Sequence, residues 1–198
     1  WANSWKEHFH VLRVGRHLVV CPTWRPYNAT DGDVVIRLDP GMAFGTGHHP
    51  TTRMCMELLE GLVPSGGRVL DVGTGSGILS ISAVKLGAQS AIGLDIETCS
   101  VSAAIENVKL NDLQEIVTVL EGTLPHPAVA FGSYDVVIAN ISGKVLVDIS
   151  AHLVAATKPN GRILLSGILR NGIDIVVNAL ELEGAYVVET VKQEDWVA

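Results

Sequence analysis

Cysteine is scarce in this chain. The three present (Cys21, Cys55 and Cys99) are an odd number with no close pair, so neither a disulfide framework nor a CxxC metal or redox centre is indicated. A reducing, cytoplasmic setting is the expectation that follows. No apolar run approaches the roughly 18 residues of a membrane-spanning helix, and there is no signal-peptide pattern. Internal repeats and low-complexity stretches are also absent. Basic residues are outnumbered, with 14 Lys/Arg against 21 Asp/Glu and a net charge of −7. That balance argues against a broad nucleic-acid-binding surface, while leaving room for a local basic patch.

The chain has 198 residues, 47% of them hydrophobic. This is enough for a sizeable core in one domain, with at most a small second one. Charge is unevenly placed: residues 1–53 hold six Lys/Arg against four Asp/Glu, and residues 54–198 hold eight against seventeen. The sequence opens on Trp1 rather than Met and closes on Val197-Ala198, which reads as the start of a strand. The expectation is a chain trimmed at both ends.

Residues 1–50 read as a leading linker segment. Two β-branched runs, Leu18–Val20 and Val34–Leu38, flank the turn-rich stretch Pro22–Asp33. The glycine- and proline-rich loop Asp39–Pro50 follows, which cannot continue a helix or a central strand. Residues 51–198 then alternate helix and strand. Helices are expected at Thr51–Glu60, Ile78–Leu86, Thr98–Leu110, Lys144–Thr157 and around Ile173–Leu180. Strands are expected at Arg68–Asp71, Ser90–Asp95, Ile116–Glu121, Tyr134–Asn140, Arg162–Ser166 and Tyr186–Lys192, and Lys158-Pro159-Asn160-Gly161 reads as a stop and turn. Such alternation predicts an α/β, Rossmann-like, doubly wound and mostly parallel sheet with helices on both faces. Ligands in such folds sit at the carboxyl ends of the strands.

The stretch Asp71-Val72-Gly73-Thr74-Gly75-Ser76-Gly77 turns a strand sharply into a helix, and its glycines let the backbone approach a ligand. Its spacing is GxGxG, where a dinucleotide fold wants GxGxxG. Asp71 would repel a pyrophosphate but suits a ligand with an ammonium group and no phosphate, as S-adenosylmethionine is. Asp95 ends the next strand, where this fold hydrogen-bonds a ribose hydroxyl pair. A bare tight turn for the glycines and a helix N-cap for Asp95 are the alternatives. Gly122-Thr123 stands beside the adenine or forms a plain turn. Asn140 ends a buried strand, where its side-chain oxygen can accept from an amine and aim the nitrogen lone pair at a methyl group; alternatively it caps the following helix. His48-His49 has no acidic or cysteine partner nearby in sequence, so no metal is expected. The Phe44–Thr52 loop reads instead as a lid.

At these residues the sequence resembles the class I methyltransferases, which share the Asp-x-Gly-x-Gly-x-Gly loop and an acid on the second strand. Within them, Leu38–Glu60, Val69–Ala88, Gly93–Glu97 and Val136–Ile141 closely resemble the PrmA family, bacterial enzymes that methylate large-subunit ribosomal protein eleven. The segment DPGMAFGTGHHPTT is more specific than the glycine loop, and Trp5-Lys6-x-His8-Phe9 and Glu194-x-Trp196 extend the likeness over nearly the whole chain. The resemblance implies S-adenosylmethionine as cofactor and methyl transfer to lysine side chains and an α-amino group. It places cofactor contacts at Thr52, Gly73, Asp95 and Asn140, with Gly75 in the same loop and Phe44, Thr46 and His49 close by. Asn140 would position the amine, with water taking the proton and no general base. Members carry an N-terminal domain that grips the basic ribosomal protein, and this chain shows none. Direct nucleic-acid and membrane partners are not expected. The competing readings are a small-molecule or RNA methyltransferase on the same core and a non-catalytic cofactor-binding module. An NAD-dependent dehydrogenase is disfavoured by the glycine spacing and Asp71.

Overall fold

The computed structural model describes residues 9–39 and 45–198. Five parallel strands form the main sheet: β4 (Arg68–Val72), β5 (Ser90–Asp95), β6 (Val117–Glu121), β7 (Tyr134–Asn140) and β8 (Thr157–Ser166). Their order is β6-β5-β4-β7-β8. The chain therefore steps outward from β4 through β5 to β6, then returns to the other side of β4. That reversal opens a crevice at the carboxyl ends of β4 and β7.

Alternate residues on the central strands feed two different cores. Val69 of β4 and Val136 and Ile138 of β7 pack with α1 (Pro50–Leu62), α2 (Ile78–Lys85) and α3 (Thr98–Leu110). Leu70, Val72, Val137 and Ala139 face the other way, onto α4 (Gly143–Asp148), α5 (Ser150–Ala156) and α6 (Ile173–Leu182). A strand buried on both faces needs an apolar residue at every position, which is why these strands read as unbroken hydrophobic runs. Asp71 breaks that rule on the α1–α3 face. Helix α2 is buried on all sides from Ile78 to Val84, so it shows no polar stripe.

The leading segment forms its own small sheet. Strand β1 (Leu12–Val14) runs antiparallel to β2 (Leu18–Pro22), which pairs in parallel with β3 (Val34–Leu38). Val14, Leu18, Val20, Ile36 and Leu38 join Met56, Leu59, Ile78 and Ile81 in one continuous apolar cluster. Each fully buried Leu, Ile or Met on this seam stabilises by about 1.5–3 kcal/mol. Glu60, near the end of α1, accepts the backbone N–H groups of Arg16, His17 and Leu18 and so fixes the β1–β2 turn to that helix.

Three local expectations need correction. The helix expected over Lys144–Thr157 is two helices, because Ile149 leaves the helical region (φ −110°, ψ 9°). The bend keeps Leu146, Ile149 and Leu153 all on the sheet. The stop at Lys158–Gly161 lies inside β8, where Asn160 takes a left-handed conformation and the register with β7 shifts between Tyr134 and Val136. Finally, Tyr186–Lys192 is not a strand. Only β10 (Lys192–Gln193) pairs, with β11 (Trp196–Val197), which also pairs with β9 (Ile168–Leu169). The hairpin's last rung joins Val191 to Ala198, so the β-branched residues before Val191 have no neighbouring strand there, and Tyr186, Val187 and Val188 are exposed.

Candidate functional site

The crevice at the ends of β4 and β7 is lined by Gly45, Thr52, Gly73, Thr74, Gly75, Ile78, Leu79 and Asn140. Each wall has a local cause. Gly73, Gly75 and Gly77 all have positive φ (75°, 55° and 81°), which lets β4 reverse into α2 within five residues. The turn is tied to the next strand, because the N–H groups of Gly73 and Thr74 donate to the Leu94 carbonyl (2.8 and 2.9 Å). At Gly73 the absent side chain also matters sterically: a Cβ there would run into Ile141.

Asp95 closes the far side of this turn. Its Oδ2 accepts the Gly75 N–H at 2.8 Å and its Oδ1 the Glu97 N–H at 3.0 Å, while its carbonyl accepts from Gly122. Asp95 is thus not the helix cap, a position that Glu97 holds before α3; its carboxylate ties that residue and the glycine loop together. Each oxygen keeps a second lone pair, which a hydroxyl pair can use.

Asp71 is completely buried. Its Oδ2 accepts from the hydroxyls of Thr74 (2.7 Å) and Ser80 (2.8 Å) and from the Ser80 N–H, so it laces the glycine loop to the first turn of α2. Its Oδ1 has no hydrogen-bond partner among the described residues. Burial pushes its pKa up to about 6, against those hydrogen bonds, and Asp95 adds a smaller upward push. The Cys55 thiol is pushed up to about 12 by its own burial, with the Asp71 carboxylate contributing and Ser166 opposing. An orphaned buried carboxylate oxygen fits the ammonium group of an amino-acid cofactor and opposes a phosphate.

Thr52 and Asn140 meet across the opening, where the Asn140 Nδ2 donates to the Thr52 Oγ1 at 3.4 Å. This contact leaves the Asn140 Oδ1 to accept from another donor. Thr52 is held there by the start of α1, which opens on Pro50 and is capped by His49. The Thr51 N–H donates to the His49 Nδ1 at 3.3 Å, and the His49 ring stands edge-on to Trp196 with centroids 5.1 Å apart. Asn140 is not a helix cap, since Ser142 occupies that position before α4.

The structure therefore brings Thr52, Gly73, Gly75 and Asn140 together on one crevice, with Asp95 directly behind Gly75. Thr46 and His49 stand one step outside it; the Thr46 hydroxyl faces His48 rather than the crevice. Phe44, Trp5, Lys6 and His8 lie outside the described residues. Ser76 and Asn107 were not singled out by sequence. The Ser76 hydroxyl donates to the Gly45 carbonyl, and the Asn107 Nδ2 donates to the Ser76 carbonyl. The one signal that could have found the asparagine is its four-residue spacing from Asn111, which puts two amides on the buried side of α3.

The sequence profile of the family described as ribosomal protein L11 methyltransferase (PrmA) matches residues 1–198. A protein named ribosomal protein L11 methyltransferase in Geobacter metallireducens is 47% identical over 99% of this chain and 64% of its own length. One of the same name in Geotalea uraniireducens is 46% identical over 99% of this chain and 65% of its own. The chain thus spans a little under two thirds of these relatives. A solved structure described as ribosomal protein L11 methylase from Lactobacillus delbrueckii subsp. bulgaricus superimposes with a TM-score of 0.88 at 33% identity, covering 96% of both chains. With this sheet order, this glycine loop and these relatives, the chain belongs to the ribosomal protein L11 methyltransferase (PrmA) family, within the Rossmann-like class I methyltransferases.

Proposed function

We propose that this chain is an S-adenosylmethionine-dependent N-methyltransferase that acts on lysine and α-amino groups of large-subunit ribosomal protein eleven. Residues 51–198 make the catalytic domain and residues 1–50 the leading linker. The observation that carries the reading is the convergence of Asn140, Thr52 and the glycine loop on one crevice; the buried Asp71 carboxylate, bonded to Thr74 of that loop, keeps one oxygen unused. The names of the relatives supply the substrate. We place the grip on that basic protein in the part of the relatives' length that this chain does not span, and the reaction in the cytoplasm.

S-adenosylmethionine, when bound, supplies an electrophilic methyl group on a sulfonium. Asp71 and the loop from Gly73 to Gly75 hold its amino-acid end, and Asp95 accepts from the ribose hydroxyls. The Asn140 Oδ1 accepts one N–H of the incoming amine and so points the nitrogen lone pair along the line of displacement. Thr52 keeps that amide turned the right way. A lysine ammonium has no lone pair to give, so the amine must arrive neutral. Desolvation of the amine in a narrow crevice favours the neutral form, and the proton leaves to solvent. No side chain is required as a general base.

The test is mass spectrometry of purified ribosomal protein eleven incubated with S-adenosylmethionine and the chain joined to the further length that its relatives carry, alongside calorimetry with S-adenosylhomocysteine. A mass gain of one CH₂ per transfer, lost in the Asn140→Ala variant, is the expected result. Tight cofactor binding with no mass change would reject the substrate. No binding of S-adenosylhomocysteine would reject the cofactor.

A further inference from the structure

We propose that Asn107 is a positioning residue for the cofactor crevice, which acts by fastening the glycine loop and both flanks of residues 40–44 to one point on α3. Its side chain is buried, and both ends of the amide are used. Oδ1 accepts the Asp39 N–H at 2.9 Å and Nδ2 donates to the Ser76 carbonyl at 2.9 Å. Ser76, also buried, carries the connection onward, because its hydroxyl donates to the Gly45 carbonyl. Asp39 and Gly45 are thereby joined through two side chains to the stretch between Gly75 and Gly77. Gly45 and Gly75 both line the crevice, and Gly75 is the residue bonded to Asp95.

The glycine loop also rests on α3 by shape. A Cβ on Gly77 would lie 3.2 Å from the Ala104 Cβ and 3.3 Å from its Cα, so loop and helix are in close contact just before Asn107. Packing alone would be served as well by an apolar side chain, since a buried amide is costly unless every polar atom is satisfied. What an amide adds is a donor and an acceptor on one rigid plane, each turned to a different segment.

Asn111, one turn further on, provides the contrast. Its Oδ1 accepts the Arg37 N–H at 2.9 Å and its Nδ2 donates to the Arg37 carbonyl at 2.7 Å, so it pairs with β3 as a neighbouring strand would. Its second Nδ2 bond goes to the Asn107 carbonyl. It too is buried and bonded at both ends of its amide, yet its side chain makes no bond to the glycine loop among the described residues. Asn111 secures the small sheet; Asn107 secures the small sheet and the site.

The inference rests on the reading of the crevice as an S-adenosylmethionine site and adds a residue to it. Four variants test it: Asn107→Ala, Asn107→Asp, Asn111→Ala and Ser76→Ala. In Asn107→Asp the acceptor for Asp39 is kept, but an oxygen now faces the Ser76 carbonyl, so only the link to the glycine loop is broken. Two quantities are read: the dissociation constant for S-adenosylhomocysteine and apo-state amide exchange at residues 73–77. Both Asn107 variants should weaken binding roughly tenfold, the scale of one net hydrogen bond, and speed exchange in the loop. Asn111→Ala should lower the melting temperature as much while leaving both quantities within about twofold of wild type. Equal effects at the two asparagines, or an unchanged loop in the Asn107 variants, would overturn the proposal. If the Asn107 variants do not fold, Ser76→Ala tests the onward link: it keeps the carbonyl that Asn107 bonds and removes only the hydroxyl bond to Gly45, so unchanged affinity there overturns the fastening of both flanks. Absence of binding by the wild type would reject the proposed function instead, and the exchange comparison would still judge Asn107.

Discussion

Asp95 and Gly75, twenty residues apart in sequence, are joined by a 2.8 Å hydrogen bond from the Gly75 N–H to the Asp95 Oδ2. The carboxylate that ends β5 therefore holds the turn that ends β4, and one residue braces the glycine loop while keeping lone pairs for a ligand. This double role sets what its removal does. Asp95→Ala should weaken S-adenosylhomocysteine binding by about 1–3 kcal/mol if the ribose bonds proposed for it are lost. It should also loosen the glycine loop in the free protein. Asp95→Asn keeps an acceptor for Gly75 and should retain the loop while losing part of the affinity. Calorimetry with loop amide exchange separates the two contributions.

The opening between Thr52 and Asn140 gives a second prediction. Thr52→Val keeps the shape but removes the oxygen that accepts the Asn140 amide. Freed of that restraint, Asn140 no longer presents its oxygen in one direction. The methyl-transfer rate should fall by about 10²-fold, the usual cost of a small misplacement, while cofactor affinity changes much less. Asn140→Ala should do the same or worse. Single-turnover rates at saturating cofactor, set beside calorimetric affinities, distinguish misorientation from lost binding.

Asp71 predicts a pH effect with opposite signs in the free and bound protein. Burial raises its carboxyl to about 6, whereas the unfolded chain titrates it near 3.9. The folded state thus holds this proton more tightly. The stability this provides is whole below about pH 4 and is lost as pH rises through about 6, a loss of about 3 kcal/mol. Asp33, Glu60 and Asp135 are held below the usual carboxylate range and act in the opposite sense, so the measurement is a difference. Wild type minus Asp71→Asn should fall in stability between pH 4 and 6.5. Binding reverses the sign: an ammonium ligand prefers the carboxylate, so wild-type affinity should weaken as pH drops through about 6. Asp71→Asn should show a flat profile. Thermal melts and cofactor titrations across that range check both halves.

The main sheet was legible in sequence because its central strands are buried on both faces and their turns carry glycine or a polar terminus. Val69–Val72 and Val136–Ala139 can be read without knowing their neighbours. The positions of the candidate site were legible for the same reason: Gly73, Gly75, Asp95 and Asn140 lie at or just beyond the ends of such strands, and Thr52 in the first turn of α1. What escaped depended on partners distant in sequence. Tyr186–Val191 has a strand's composition, but only a neighbour makes a strand, and the pairing stops at Val191 with Ala198. The break at Ile149 lies within an unbroken apolar stripe, since both halves face the same sheet. Asn107 looked like any polar residue on an amphipathic helix. Only the fold shows that its two ends reach Asp39 and Ser76.

Gly73 offers the sharpest steric prediction. Its φ of 75° is costly for any residue with a side chain, and a Cβ at this point would collide with the Cγ2 of Ile141. Gly73→Ala should therefore destabilise the protein by about 1–3 kcal/mol and abolish cofactor binding, since the loop can accommodate the methyl only by shifting. The two causes can be separated. Ile141→Ala on its own removes buried contacts and should cost stability. In the double variant the clash is gone, while the left-handed conformation is still strained. The pair should then be less destabilising than the sum of the single changes by more than about 0.5 kcal/mol. A double-mutant cycle of denaturant melts measures that coupling. Additive effects would mean that backbone conformation alone, and not the approach of Ile141, requires glycine at the first position of the loop.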